Sequence, residues 1–559
     1  MRWERKEDEP TNPTPHEPTG TSTPRAGRPP RRPSVTPRPG INVDGEDVFT
    51  SRYYREQVSR HGALRLKPIE DIIAQQSEDA AADAAFPGVL KRQLIVRDLL
   101  GLGIGMVIGT GIFTLTGIEA RNHAGPAVTI SYALAGLIAL LAALCYCEMA
   151  STVPTAGSAY TYAYATLGEI FAWIIGWDLV LEFALGAGVV SRGWSGYLKS
   201  LFNLPDALFG ETSTVNVGGI LIAVLLGLIA MIGAKESARV TNALVIIKVT
   251  ICVFIIAVGV FFIRAANYRP FIPDPVSTTE NGRTGWETSL VQAVTGVSPS
   301  TFGVAGILTA AAVVFFAYSG FEVVANMGEE TRNPQRDLVR GVLGTLGICT
   351  ALYVAVCLVV TGMVKYTEID EGAPVAEAFK SVGLGWAGAL IAIAAICGLT
   401  SVILVDIIGM GRIAFAMGRD GLLPMAIARV HPRWGTPYRV ILLTTILVAT
   451  LAGFVPLRAL ADMVSIGTLF AFVVVSAAVP ILRRTRPDLE RPFKVPFSPV
   501  LPIVSVLACL YMMMNLSLAT WMRFLVWMVI GLVIYVGYGR RHALARRHDA
   551  GRDAMVTTA

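Results

Sequence analysis

Residues 105–113, GMVIGTGIF, lie inside an apolar run that begins near Leu99, and their reading decides the fold. Each glycine weakens a helix by roughly 1 kcal/mol relative to alanine, yet Gly105, Gly109 and Gly111 gather with Thr110 at the centre of a segment long enough to cross a bilayer. One reading is packing: Gly101, Gly105 and Gly109 recur at intervals of four, the spacing that lets a neighbouring helix approach closely. The other is a break at Gly109-Thr110-Gly111. Unwound backbone survives in hydrocarbon only where protein, water or a bound solute satisfies its N–H and C=O groups. A half-helix starting there would aim free N–H groups and its positive end at the membrane centre, which suits a carboxylate. Carbonyls just before the break, such as that of Val107, would face the same cavity and suit an ammonium. Composition leaves both readings open.

The surroundings fix the class. The chain is 53% hydrophobic and 16% charged, and its mean hydropathy is +0.56, so 559 residues form mainly one polytopic, all-α membrane domain. Twelve apolar segments are centred near residues 108, 138, 182, 225, 252, 313, 350, 398, 446, 471, 507 and 530. If the N-terminal tail is inside, the cytoplasmic loops and C-terminal tail hold twenty Lys and Arg against ten opposite, as in the island Arg332, Arg336 and Arg340, so both termini are expected in the cytoplasm. The net charge of +6 lies in tails and loops and reads as topology; nucleic acid is not expected as a partner. Residues 1–92 are expected to be a cytoplasmic, mostly disordered tail, with ten prolines in the first forty, and without an apolar core that would make a secretory signal. Within it, Ile69, Ile72 and Ile73 are spaced for a short helix on the membrane surface, with a solvated stub as the alternative. Residues 93–539 form the transmembrane domain and 540–559 the cytoplasmic C-terminal tail. All seven cysteines sit in apolar segments and all six histidines in tails or loops, so neither metal nor haem is expected.

Ionisable groups inside apolar segments mark function by default. Glu322 lies in FFAYSGFEVVANMGEETRNPQRD, 315–337, beside the break signal Gly320, with Phe316 and Tyr318 as candidate pocket walls; Glu329, Glu330 and Arg332 read equally as solvated helix-end charges. Lys248 is the sole charge between Arg239 and Arg264, about 13 Å along a helix from Arg239 and too deep for easy snorkelling. It reads either as a proton switch or as a structural lysine tied to helix carbonyls. Asp178 and Glu182 share one helix face at i and i+4, while Glu148, Asp406 and Arg192 complete a set read as network residues first and ligands second.

The ordered motifs GIGMVIGTGIF, CYCEMASTVPTAGSAYTYAY, WDLVLEFALGAGVVSRGWSGYL, NALVIIKV, FFAYSGFEVVANMGEETRNPQRD and GRIAFAMGRDGLLP closely resemble the amino acid/polyamine/organocation superfamily, in its cationic amino acid transporter branch, over about residues 66–540. The resemblance implies twelve transmembrane helices, with helices 1 to 5 and 6 to 10 as inverted repeats, helices 1 and 6 broken at the substrate site, and two further C-terminal helices. It assigns the substrate carboxylate to the amides of Thr110 and Gly111, with Gly109 permitting approach. It gives the α-ammonium to the carbonyls of Val107, Phe316, Ala317 and Ser319, the aromatic gate to Phe316, and to Glu322 the place of an acid that is usually aspartate. Lys248, with Thr400 and Ser401 lining the same position, falls where sodium-coupled relatives bind their ion, which speaks against a sodium requirement. Asp406 and Met410-Gly411 depart from the branch, which commonly has an apolar residue and a glutamine followed by a small hydroxyl residue; this bears on selectivity. Val339 replaces a frequent proline, and the two additional helices of vertebrate members are missing.

The expected function is a secondary transporter of the cell membrane importing L-amino acids with protons by alternating access, without cofactor. The rivals are an amino acid exchanger and an amino acid sensor. A membrane enzyme is disfavoured because no H-E-x-x-H, or Ser with a His partner, lies in the apolar segments.

Overall fold

A computed structural model describes residues 66, 67, 69, 94–153, 158–211, 213–232, 238–277, 285–296, 300–325, 327, 331–428, 431 and 436–543. The remainder of the N-terminal tail, Ile72, Ile73, Glu329, Glu330 and the chain beyond 543 lie outside the described residues.

Apolar side chains drive these segments into lipid, where each backbone group needs a partner and only the helix supplies one locally. The principal helices are α1 (Val96–Val107), α2 (Val128–Thr152), α3 (Ser158–Thr166), α4 (Glu169–Phe202), α5 (Val217–Ile232), α6 (Ala238–Gly259), α7 (Gly303–Val314), α8 (Pro334–Met363), α9 (Pro374–Ser381), α10 (Gly385–Arg419), α11 (Tyr438–Phe454), α12 (Leu457–Thr485), α13 (Val500–Met514) and α14 (Leu518–Ile534). Among the described residues eight helical stretches are long and apolar enough to cross a membrane, and α5, α11 and α13 are shorter apolar helices. A two-stranded antiparallel pair, β1 (Val276–Ser277) with β2 (Ser300–Thr301), closes the loop before α7.

Helices pack in a regular order: α2 lies on α8, α4 on α10, and α5 on α11. Small residues make the close approaches, since lipid offers no hydrophobic drive between helices. A Cβ on Gly136 of α2 would meet Thr350 of α8 at 2.7 Å, and one on Gly227 of α5 would meet Thr445 of α11 at 2.0 Å. Leu221, Leu225, Ile246, Leu507 and Val533 remain exposed, as lipid-facing side chains should. The last helix is tied on by tryptophan: Trp177 and Trp527 stack at 4.4 Å, and each indole donates to the other residue's carbonyl.

Leu66 and Ile69 are buried in the protein. Lys67 between them pairs with Asp420, just beyond α10, at 2.9 Å, and Tyr160 of α3 donates to the same carboxylate at 2.7 Å. Ile69 therefore packs inward, as neither the membrane-surface helix nor the solvated stub that the sequence left open would have it.

Candidate functional site

The GMVIGTGIF stretch serves both purposes that its glycines suggested. Of the glycines spaced for packing, Gly105 is tight, since a Cβ there would meet Val245 at 2.7 Å, whereas one on Gly109 would come no nearer than 3.8 Å to Val402; Gly103, outside that spacing, is tight as well, its Cβ meeting Thr345 at 2.4 Å. One turn on, α1 stops at Val107 and Ile108 is extended, at φ −74°, ψ 97°. Thr110 has returned to helical angles, φ −57°, ψ −27°, and the chain continues as a π-helical turn, Gly111–Leu115. The interruption thus falls at Ile108-Gly109, slightly ahead of the glycine-threonine-glycine triplet. A long bond, Phe113 N to Gly109 O at 3.4 Å, reaches back towards it.

A second interruption faces the first. After α7 the chain tightens into a 3₁₀ turn, Phe315–Tyr318, and Ser319 is extended at φ −61°, ψ 145°. Gly320 then takes φ +108°, a left-handed value that favours glycine, before the short helix Glu322–Ala325. The two breaks touch: a Cβ on Gly111 would lie 2.4 Å from that of Ala317.

Hydroxyl groups satisfy much of the freed backbone. Tyr353 of α8 shares its proton between the carbonyls of Val107, at 2.6 Å, and Ala317, at 3.1 Å. Tyr132 of α2 donates to the carbonyl of Gly111, and Tyr197 of α4 donates to that of Phe113 at 2.5 Å. Ser465 of α12 accepts from the amide of Phe316 at 3.1 Å and donates to the carbonyl of Val313 at 2.9 Å. Sequence reasoning missed this ring. Its signal was tyrosine within otherwise aliphatic spans, where a phenol needs a partner.

Between the breaks is a cavity with about 40 Å³ of free space, room for a few waters at most. Val107, Gly109, Thr110, Phe316, Ser319 and Glu322 line it, so the structure brings together most of the residues singled out for substrate. Thr110 is fully buried and its hydroxyl has no hydrogen-bond partner among the described residues. Three carboxyl groups meet there, because Glu182 and Asp406 join Glu322 in the lining. Glu182 accepts from Ser319 at 2.8 Å and Thr468 at 2.7 Å. Both oxygens of Glu322 face the amide of Gly320, at 2.9 and 3.0 Å. Asp178, one turn from Glu182, is fully buried, and among the described residues neither of its carboxyl oxygens has a hydrogen-bond partner.

Lys248 stands to one side, fully buried, its ammonium 2.5 Å from the carbonyl of Gly105. Gly398 of α10 clears space for its stem, since a Cβ there would lie 2.9 Å from Cε. Thr400 donates to Ile396 and accepts from Trp194, while Ser401 donates to Gly398. Among the described residues no group of three or more metal-ligating side chains occurs.

The chain is similar over nearly its whole helical length to known transporters. It is 41% identical over 494 residues to the methylthioribose transporter of Bacillus subtilis (strain 168), a match covering 87% of this chain and 99% of that one. It is also 41% identical to the branched-chain amino acid permease BcaP of the same organism, covering 86% of this chain and 98% of BcaP. The vacuolar cationic amino acid transporter 2 of Arabidopsis thaliana is 37% identical, covering 76% of this chain and 65% of the relative. The family model described as amino acid permease matches residues 95–536, a span that contains both interrupted helices and the cavity between them. This chain is therefore a membrane transporter rather than an enzyme, and it belongs to the amino acid permease family.

Proposed function

We propose that this permease imports L-amino acids across the cell membrane by proton symport, with alternating access to the cavity at the two helix breaks. The observation that carries the reading is the pair of facing interruptions, with Thr110 of the first and Ser319 of the second lining one cavity and the buried Thr110 hydroxyl without a partner among the described residues. A carboxylate would be held by the amides of Thr110 and Gly111, and it would also offer an acceptor to the Thr110 hydroxyl, which unpaired and buried costs about 1–3 kcal/mol. The α-ammonium would use the carbonyls of Phe316 and Ser319, together with any acceptor capacity that Tyr353 leaves at Val107 and Ala317. Phe316 would act as the gate. The small free space fits a closed conformation, which must open towards one side to admit substrate.

In this reading residues 93–539 are the transporter domain, with twelve spans and cytoplasmic tails 1–92 and 540–559. Five spans would repeat inverted in the next five. The pairing of α2 with α8, α4 with α10 and α5 with α11 supports that arrangement, each helix lying on its counterpart. Lys248 would carry the coupling proton, with Thr400 and Ser401 beside it and no sodium ion. An exchanger is the second reading, favoured by the tie between Lys248 and Gly105, which suits a permanently charged, structural lysine.

The test is uptake of labelled L-amino acids into proteoliposomes with and without an inward proton gradient. Accumulation driven by the gradient supports symport. Uptake only into vesicles preloaded with amino acid makes the protein an exchanger, and no uptake of any amino acid overturns the reading.

A further inference from the structure

Two of the three carboxyl groups in the cavity already have donors: Glu182 has Ser319 and Thr468, and Glu322 has the amide of Gly320. Asp406 of α10 differs. It is 8% exposed, faces the same cavity, and makes no hydrogen bond or ion pair among the described residues. The wall opposite is cut back to expose it: a Cβ on Gly186 of α4 would lie 3.2 Å from Asp406 Oδ2. The cavity neighbours Phe183, Val190 and Val402 have no side-chain donor. A carboxylate that faces a cavity and receives no donor from the protein takes its donors from whatever occupies that cavity.

We infer that Asp406 is the residue that selects the substrate's side chain, by accepting hydrogen bonds from a second cationic group, an ammonium or guanidinium, on an L-amino acid held at the helix breaks. The inference rests on the amino acid reading above and adds a substrate class to it. Thr110 lies at the break, on the side suited to the carboxylate, and Asp406 lies on the opposing helix, so one zwitterionic head leaves Asp406 unmatched. A neutral side chain would seal this carboxylate in without a partner, whereas an amino or guanidino side chain brings both charge and donors. Sites built around a hydrogen-bonding group reject analogues that lack its counterpart.

Wild-type full-length protein in proteoliposomes gives the first arm, in which lysine and norleucine compete against labelled lysine. Norleucine keeps the four-carbon side chain but has no ε-ammonium, and it should compete at least tenfold more weakly. In the second arm, the ratio of lysine to leucine uptake should fall at least tenfold in Asp406→Asn and in Asp406→Leu, with a monodisperse size-exclusion profile confirming that each variant folds. Equal competition, or an unchanged ratio, overturns the inference. So does an equal loss of both substrates under a proton gradient with counterflow retained, which would make Asp406 a proton site. Wild-type uptake of leucine but not lysine defeats only the role of Asp406, whereas no amino acid uptake at all defeats the underlying reading as well.

Discussion

The hydroxyl of Tyr353 donates to the carbonyl of Val107 at 2.6 Å and lies 3.1 Å from that of Ala317, so one side chain of α8 holds the last carbonyl of α1 to the second break. Tyr353→Phe leaves both carbonyls short of a donor in a dry interior. The expected cost is about 1–3 kcal/mol, seen as a lower midpoint of thermal unfolding in detergent. An unchanged midpoint would mean that the contact contributes little to holding the breaks together.

Thr110→Val should behave in the opposite way. Its hydroxyl is buried and has no partner among the described residues, so replacing it with a methyl group should raise stability, by up to about 1–3 kcal/mol. Substrate affinity should nevertheless fall about tenfold, or about 1.4 kcal/mol, because the bound carboxylate loses a donor. Isothermal titration of the purified variant separates the two effects, and unaltered affinity would exclude the Thr110 hydroxyl and leave the carboxylate to the amides of Thr110 and Gly111.

Glu182 joins α4 to both Ser319 and Thr468, and so to the second break and to α12. Glu182→Ala and Ser319→Ala should be non-additive, with a coupling energy of about 0.5–3 kcal/mol in a double-mutant cycle on substrate binding. Additivity would show that the hydrogen bond does not set the geometry of the site.

Lys248→Met keeps the length of the stem without the charge and loses the contact to Gly105. Gradient-driven accumulation should disappear while counterflow of labelled substrate persists. If accumulation survives, coupling does not pass through Lys248; if binding and counterflow vanish too, the lysine holds α1 in place.

The amino-acid sequence by itself determined the membrane class and the apolar helical stretches, and it marked Gly109-Thr110-Gly111 and Gly320 as places where a helix could break, with close packing equally open at the first. Each is a local matter: the bilayer tests every stretch of about 20 residues for hydrophobicity, and glycine marks where the backbone departs from a helix. Gly320 illustrates this, because its positive φ is a requirement of its own residue. Tertiary structure decided which polar groups share a cavity. Tyr353 and Asp406 have no local signature of their roles; each acquires one only when α8 meets the breaks and when Gly186 of α4 stands opposite α10. It also divided the glycines of α1 between packing at Gly103 and Gly105 and interruption at Ile108-Gly109. A glycine carries no side chain to state its purpose, so only the neighbour that fills or leaves its space can do so.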